Sequence, residues 1–150
     1  MGDILLIRPQ PEIILFGDEA GVDQIRQELG LRHVPDVARN EYGTPLLNDI
    51  FEKAQKLASY DLLCYVNADT IVMSDFLKAL EETKAWHDRF CLAGARRDAQ
   101  ITRALDFSDY DWETKVRGLT KDHYLKIGIE YFVFPRGALI ENSRLPKSPL

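Results

Sequence analysis

Cysteine is scarce in this chain, which has two cysteines among 150 residues. Cys64 and Cys91 each lie in an apolar run, so we predict two reduced thiols in the core rather than a disulfide framework. No apolar run approaches the roughly 18 residues that a membrane-spanning helix needs. The first residues, acidic at Asp3, are too short for a secretory signal. These absences predict a cytoplasmic protein without a membrane span.

An excess of positive charge is also lacking, because 19 basic residues face 24 acidic ones and the net charge is −5. Without a basic stripe, nucleic acid is not expected as a partner. A phosphate ligand remains compatible with this charge, since backbone donors and a metal can hold it locally. With 45% hydrophobic residues the chain can bury one core, and we predict a single domain over 1–150 with a frayed tail at 141–150.

Short apolar runs alternate with helical patterns along the chain. The runs that predict strands are Glu12–Phe16, Leu31–Val34, Leu62–Val66, Phe90–Ala93 and Ile127–Phe134. The patterns that predict helices are Val22–Leu29 after a cap at Asp18, Pro45–Ser59 after a cap at Thr44, a helix capped by Ser74, and Asp109–Leu119. This alternation predicts an α/β domain with a largely parallel sheet, in which Leu62–Val66 is central between the first and fourth runs.

The segment Asn67-Ala68-Asp69 directly follows the clearest strand pattern. Ligands of open α/β sheets bind outside the carboxyl ends of the strands. A carboxylate at such an end suits Mg²⁺ or Mn²⁺ bridging a diphosphate. Asp69 is therefore a candidate metal ligand, and the alternative is that it only caps the following turn.

Four segments together resemble a known family. They are PEIILFGDEAGV, ELGLRHVPDVARNEYGTPLLNDIF, LLCYVNADTIVMSDF and GIEYFVFPRG, which cover most of the chain in the expected order. The chain resembles nucleotide-diphospho-sugar transferase-like proteins, glycosyltransferase family 2-like, with the GT-A fold. The resemblance implies a three-layer α/β/α sandwich with a mostly parallel, mixed central sheet.

The family's DxD motif is matched in part. Its last Asp binds the divalent metal that holds the donor diphosphate, which implies that Asp69 binds Mn²⁺ or Mg²⁺. Asn67 stands where the first Asp would contact the ribose of the nucleotide, and it supplies a hydrogen-bonding group without charge.

The resemblance implies further donor-site residues in the loop and helix before this motif. Gly43, Thr44 and Asn48 would border the donor, with the helix start directed at its phosphates. From the residues alone, Gly43 equally suits a turn, Thr44 a helix cap and Asn48 a solvated helix face.

Two charged residues complete the implied site. Arg96, in Gly94-Ala95-Arg96-Arg97-Asp98, matches a family position that could neutralise phosphate, and a surface pair with Asp98 is the alternative. Glu130 stands where relatives have an Asp, and an inverting transferase needs a carboxylate base for the acceptor hydroxyl. The alternative for Glu130 is a carboxylate that fixes the loop before the last strand.

The resemblance implies a glycosyltransferase-like protein that binds a nucleotide-sugar through a divalent metal and transfers the sugar to a hydroxyl acceptor. The alternative is a non-catalytic GT-A-like relic or binding module for a nucleotide, a sugar or a partner protein. Relatives have more chain at both ends, so we expect a truncated member that lacks the first strand. A homo-oligomer would then cover the exposed sheet edge.

Overall fold

The computed structural model describes residues 7–95, 97–120 and 128–139. Within these ranges the strands are β1 (Ile14–Phe16), β2 (Arg32–Val34), β3 (Leu62–Val66), β4 (Leu92–Ala95) and β5 (Ile129–Pro135). The helices are α1 (Val22–Leu29), α2 (Leu47–Leu57), α3 (Ser74–Trp86) and α4 (Trp112–Gly118). The alternation predicted from the sequence is confirmed, and the protein is a mixed α/β structure with small sheets. The three-layer sandwich of GT-A type stays a prediction.

The chain divides into two compact units, and the boundary crosses β3 and β5. The two-stranded unit comprises Glu12–Leu63 and Pro135–Leu150, and the three-stranded unit comprises Met1–Pro11 and Cys64–Phe134. Each unit is described by itself below. The predicted frayed tail at 141–150 lies outside the described residues.

The two-stranded unit is built on the parallel pair β1 and β2, in which Leu15 is opposite His33. Helix α1 between them ends at Gly30, whose φ of 64° lies in the left-handed region that glycine adopts without strain. The predicted cap at Asp18 is wrong, because Gly21 is the N-cap. Asp18 instead accepts a 2.6 Å hydrogen bond from Arg39. Helix α2 buries Ile50 and Phe51.

Arg136 caps the carboxyl end of α2 within the same unit. Its guanidinium donates to the backbone carbonyls of Gln55, Ala58 and Tyr60. These carbonyls belong to the last turn of α2 and the residues after it, where a helix leaves acceptors without partners. Arg136 therefore provides the donors that the end of the helix lacks.

The three strands of the other sheet are ordered β3-β5-β4. The prediction that β3 is central between β1 and β4 is therefore wrong, since β5 lies in the middle and β1 pairs with β2. Val133 and Phe134 of β5 are 0% and 1% exposed, which marks β5 as the most buried strand. The sequence pattern could not show which of the two strands is central, because both are short and mostly apolar runs.

Two local predictions in this part of the chain are also corrected. Ser74 is the first residue of α3 rather than its cap, and its backbone N–H and hydroxyl both donate to Glu113 at 2.9 Å. Cys64 and Cys91 are free thiols, as predicted, but both side chains are exposed and not in the core. None of the described helices has the length and apolar character needed to cross a membrane.

Candidate functional site

The segment after β3 forms a turn whose ends are fixed by backbone hydrogen bonds. The N–H of Asn67 donates to the carbonyl of Glu130 at 3.1 Å, and the N–H of Thr70 donates to the carbonyl of Asn67 at 3.0 Å. Between these two bonds, Ala68 and Asp69 are exposed. The Asp69 carboxylate is therefore presented to solvent from a turn that is anchored on β5.

The side chain of Asn67 lies between two partners. The Tyr65 hydroxyl donates to its Oδ1 at 2.8 Å, and its Nδ2 donates to Oε2 of Glu130 at 2.5 Å. An ionised carboxylate only accepts hydrogen bonds, so the amide nitrogen must face Glu130 and the amide oxygen must face the hydroxyl. We call this chain of side chains, Tyr65–Asn67–Glu130, the amide bridge.

The two carboxylates implied in the site have opposite environments. Asp69 is exposed, whereas Glu130 is 7% exposed and is the buried charged residue of the described core. Burial of a carboxylate is unfavourable unless hydrogen bonds compensate the lost water. The short bond from Asn67 provides such compensation, which is stronger when the acceptor is charged.

Burial and nearby negative charge keep the Tyr65 hydroxyl of the amide bridge protonated at neutral pH. Burial raises the pKa of the Tyr65 hydroxyl, and the negative charges of Glu130 and Asp69 raise it further. Tyr65 therefore remains a hydrogen-bond donor to Asn67. Asp69 and Glu130 are therefore both close enough to the Tyr65 hydroxyl to affect its pKa.

The predicted residues Gly43, Thr44 and Asn48 belong to the two-stranded unit, and all three are exposed. The Asn40 side chain accepts hydrogen bonds from the N–H groups of Tyr42 and Thr44, at 3.0 and 2.9 Å. Gly43 has a φ of 81°, which the turn requires.

The prediction that Thr44 caps α2 is wrong. The N-cap is Leu46, whose side chain makes no capping bond, and the helix starts at Leu47. The Thr44 N–H is used by the turn described above, and its carbonyl accepts from the N–H of Asn40 at 3.0 Å. The closed loop delays the start of the helix to Leu47.

Arg96 lies outside the described residues, so its predicted phosphate contact stays a prediction. The neighbouring strand β4 pairs antiparallel with β5, with Gly94 opposite Tyr131 and an irregularity between Gly94 and Ala95. Arg97 and Asp98, which follow, are exposed.

The structure thus brings together Asn67 and Glu130 from the predicted set, and it adds Tyr65, which sequence reasoning assigned only to the strand core. A signal for Tyr65 was present. Asn67 directly follows β3, and residues two apart on a strand point to the same face, which favours a contact between the Tyr65 hydroxyl and the Asn67 amide.

The donor set suits a metal held jointly with a ligand. Among residues 7–95, 97–120 and 128–139 there is no group of three or more His, Cys, Asp or Glu that could hold an ion by itself. Mg²⁺ commonly uses one or two carboxylates together with substrate phosphates. The single exposed carboxylate of Asp69 fits that kind of site and would bind metal weakly without a diphosphate.

Comparison with models of known protein families, with curated proteins and with solved structures found no match. The functional assignment therefore depends on the motifs and on the geometry described above.

Proposed function

We propose that this protein is glycosyltransferase-like and binds a nucleotide-diphosphate sugar through a divalent metal at Asp69. The observation that supports this proposal most strongly is the anchored turn after β3, which presents the Asp69 carboxylate to solvent. A bound Mn²⁺ or Mg²⁺ would neutralise charge on the donor diphosphate. The proposal includes Gly43, Thr44, Asn48 and Arg96 as donor contacts and a cytoplasmic location.

In the transfer reaction, Glu130 is the proposed general base. The acceptor oxygen would form a bond to the anomeric carbon, and the bond from that carbon to the diphosphate oxygen would break. The nucleoside diphosphate leaves with the electron pair, and the acceptor hydroxyl proton passes to the Glu130 carboxylate. Attack opposite the leaving group inverts the configuration at the anomeric carbon.

A second candidate function is nucleotide-sugar binding without transfer. The amide bridge favours it, because Glu130 is buried and its carboxylate already accepts the Asn67 amide. A base must reach the acceptor hydroxyl within hydrogen-bonding distance. In this second reading the carboxylate has a structural partner and no substrate.

A thermal-shift screen tests the shared part of both candidates. The probes are UDP-, GDP-, ADP-, CMP- and dTDP-linked sugars, each with and without Mn²⁺. A ligand that binds only the folded state raises the melting temperature. We expect at least one donor to raise it only when Mn²⁺ is present, and no shift with any donor would contradict the proposal.

Release of nucleoside diphosphate then separates the two candidates. For an enzyme, Glu130→Gln should lower turnover by roughly a hundredfold or more and leave donor affinity nearly unchanged, because only a transition-state interaction is lost. If the wild-type protein binds a donor but releases no diphosphate, the binding function is the correct one.

A further inference from the structure

Glu130 is joined to Asn67 twice, through its backbone and through its side chain. Its carbonyl accepts from the Asn67 N–H at 3.1 Å, and its carboxylate accepts from the Asn67 side-chain amide at 2.5 Å. We propose that Glu130 and Tyr65 are positioning residues that hold the turn at 67–70, so that Asp69 can take a metal-bound diphosphate. This inference rests on the proposed function and assigns the two residues a binding role in it.

Asn67 is the residue at which the turn is attached to the sheet. The turn leaves β3 there, and the Asn67 carbonyl accepts the 3.0 Å bond from Thr70 that closes the turn. Hydrogen bonds at both ends of the Asn67 amide restrain its χ angles. The backbone that carries it is then fixed at the point where the direction of Asp69 is determined.

Each end of the amide bridge contributes a different group. The Tyr65 hydroxyl donates to the Asn67 amide oxygen, and the Glu130 carboxylate accepts from the amide nitrogen. An ionised carboxylate has no hydrogen to donate, so it could not replace the hydroxyl. Asn67 can fulfil this role because an amide both donates and accepts. An aspartate at this position would place a second carboxylate against Glu130, and like charges at such a distance repel.

The positioning role differs from the role of a base in what it requires of Glu130. A base needs a proton acceptor that reaches a substrate, whereas a positioning residue needs only a hydrogen-bond acceptor for Asn67. A glutamine side chain has the same length as glutamate and retains a carbonyl acceptor, whereas leucine has similar bulk but no acceptor. Glu130→Gln should therefore rescue what Glu130→Leu loses, although neither variant could accept a proton.

The first measurement is amide hydrogen exchange at Asn67 and Thr70, followed by NMR without any ligand. We expect exchange at least about fivefold faster in Glu130→Leu and in Tyr65→Phe than in wild type, because less restraint on Asn67 lets the turn open. Glu130→Gln should stay near the wild-type rate. The matched control is Tyr131→Phe, which removes a hydroxyl from a ring that packs on Phe76 in the same unit.

The second measurement is titration of the same variants with UDP and GDP, with and without Mn²⁺. The Mn²⁺-dependent gain in affinity should fall at least about fivefold in Tyr65→Phe, while the affinity without Mn²⁺ stays unchanged. If Glu130→Leu does not fold, Tyr65→Phe carries both measurements, since it removes a single oxygen atom.

The two measurements test the positioning role and the proposed function separately. Exchange rates in Tyr65→Phe and Glu130→Leu equal to those of wild type would overturn the inference, and so would a Glu130→Gln variant as fast as Glu130→Leu. An absence of Mn²⁺-dependent nucleotide binding in wild type would overturn the proposed function, and the exchange rates would still decide whether Glu130 and Tyr65 hold the turn.

Discussion

Gly94 and Tyr131 lie opposite each other on the antiparallel strands β4 and β5. A Cβ added at Gly94 would lie 1.8 Å from the Cε1 and Cζ atoms of the Tyr131 ring. Gly94→Ala should therefore lower the free energy of unfolding by about 1–3 kcal/mol, because the ring or the strand must move. Urea unfolding followed by circular dichroism measures the change.

Gly118 supplies the matched control for this substitution. It lies at the end of α4, and a Cβ there would meet no atom within 4 Å. Gly118→Ala should be neutral or raise the free energy of unfolding by about 0.5–1 kcal/mol, since alanine loses less backbone entropy. If Gly94→Ala is as harmless as Gly118→Ala, Tyr131 does not pack on Gly94 as described.

The helix end at Arg136 gives a prediction at the scale of secondary-structure elements. Lysine keeps the charge but lacks the planar group that reaches the carbonyls of Gln55, Ala58 and Tyr60 together. Arg136→Lys should lower the free energy of unfolding by about 1–3 kcal/mol, as expected when partly buried acceptors lose their donors.

Arg26 provides the comparison for Arg136. It forms a 2.9 Å ion pair with Asp23 three residues earlier on the surface of α1. Exposed pairs of this kind contribute about 0–1 kcal/mol, so Arg26→Lys should have little effect in the same unfolding experiment. Equal effects at the two positions would show that Arg136 does not close the end of α2.

The contribution of strand β3 to the core can be tested at Leu63, the buried leucine of this strand. Leu63 is 8% exposed although β3 lies at the edge of its sheet. Leu63→Ala should cost about 2–5 kcal/mol of unfolding free energy, the usual range for a large-to-small change in a core. A loss below about 0.5 kcal/mol would mean that β3 contributes little to the core.

Local sequence signals predicted the elements better than their arrangement. The strand Leu62–Val66 and the helix Val22–Leu29 are confirmed, because each depends on a few adjacent residues. The middle position of β5 was missed, and so was the bond between Asn67 and Glu130, which are 63 residues apart. Such pairings depend on how the whole chain packs, and local patterns in a single sequence do not reveal them.

The same limit applies to the candidate site. Asn67, Asp69 and Glu130 were predicted from the family resemblance, and the structure gives the Asn67 side chain two hydrogen-bond partners that the resemblance did not indicate. The expected cap at Thr44 failed because the Asn40 side chain holds that residue in a turn. That the predicted residues act together in one donor site stays a prediction.

At the scale of the whole molecule, the proposal of a homo-oligomer is open to a direct measurement. In the described part of the chain, the order β3-β5-β4 leaves β3 at a sheet edge, and an unpaired edge can pair with another chain. Analytical ultracentrifugation should therefore detect a species of twice the 17.2 kDa chain mass. A single species of 17.2 kDa at all concentrations would show that the protein is a monomer.

In the proposed function, Asp69 supplies the protein's carboxylate for a metal-bound nucleoside diphosphate. Calorimetric titration of wild type, Asp69→Asn and the exposed control Asp88→Asn, with UDP and GDP in the presence and absence of Mn²⁺, tests it most directly. We expect Mn²⁺ to strengthen nucleotide binding at least about tenfold in wild type and in Asp88→Asn. Asp69→Asn should lose this gain, because one or two carboxylates usually hold such a metal. Equal nucleotide affinity with and without Mn²⁺ in all three proteins would contradict it.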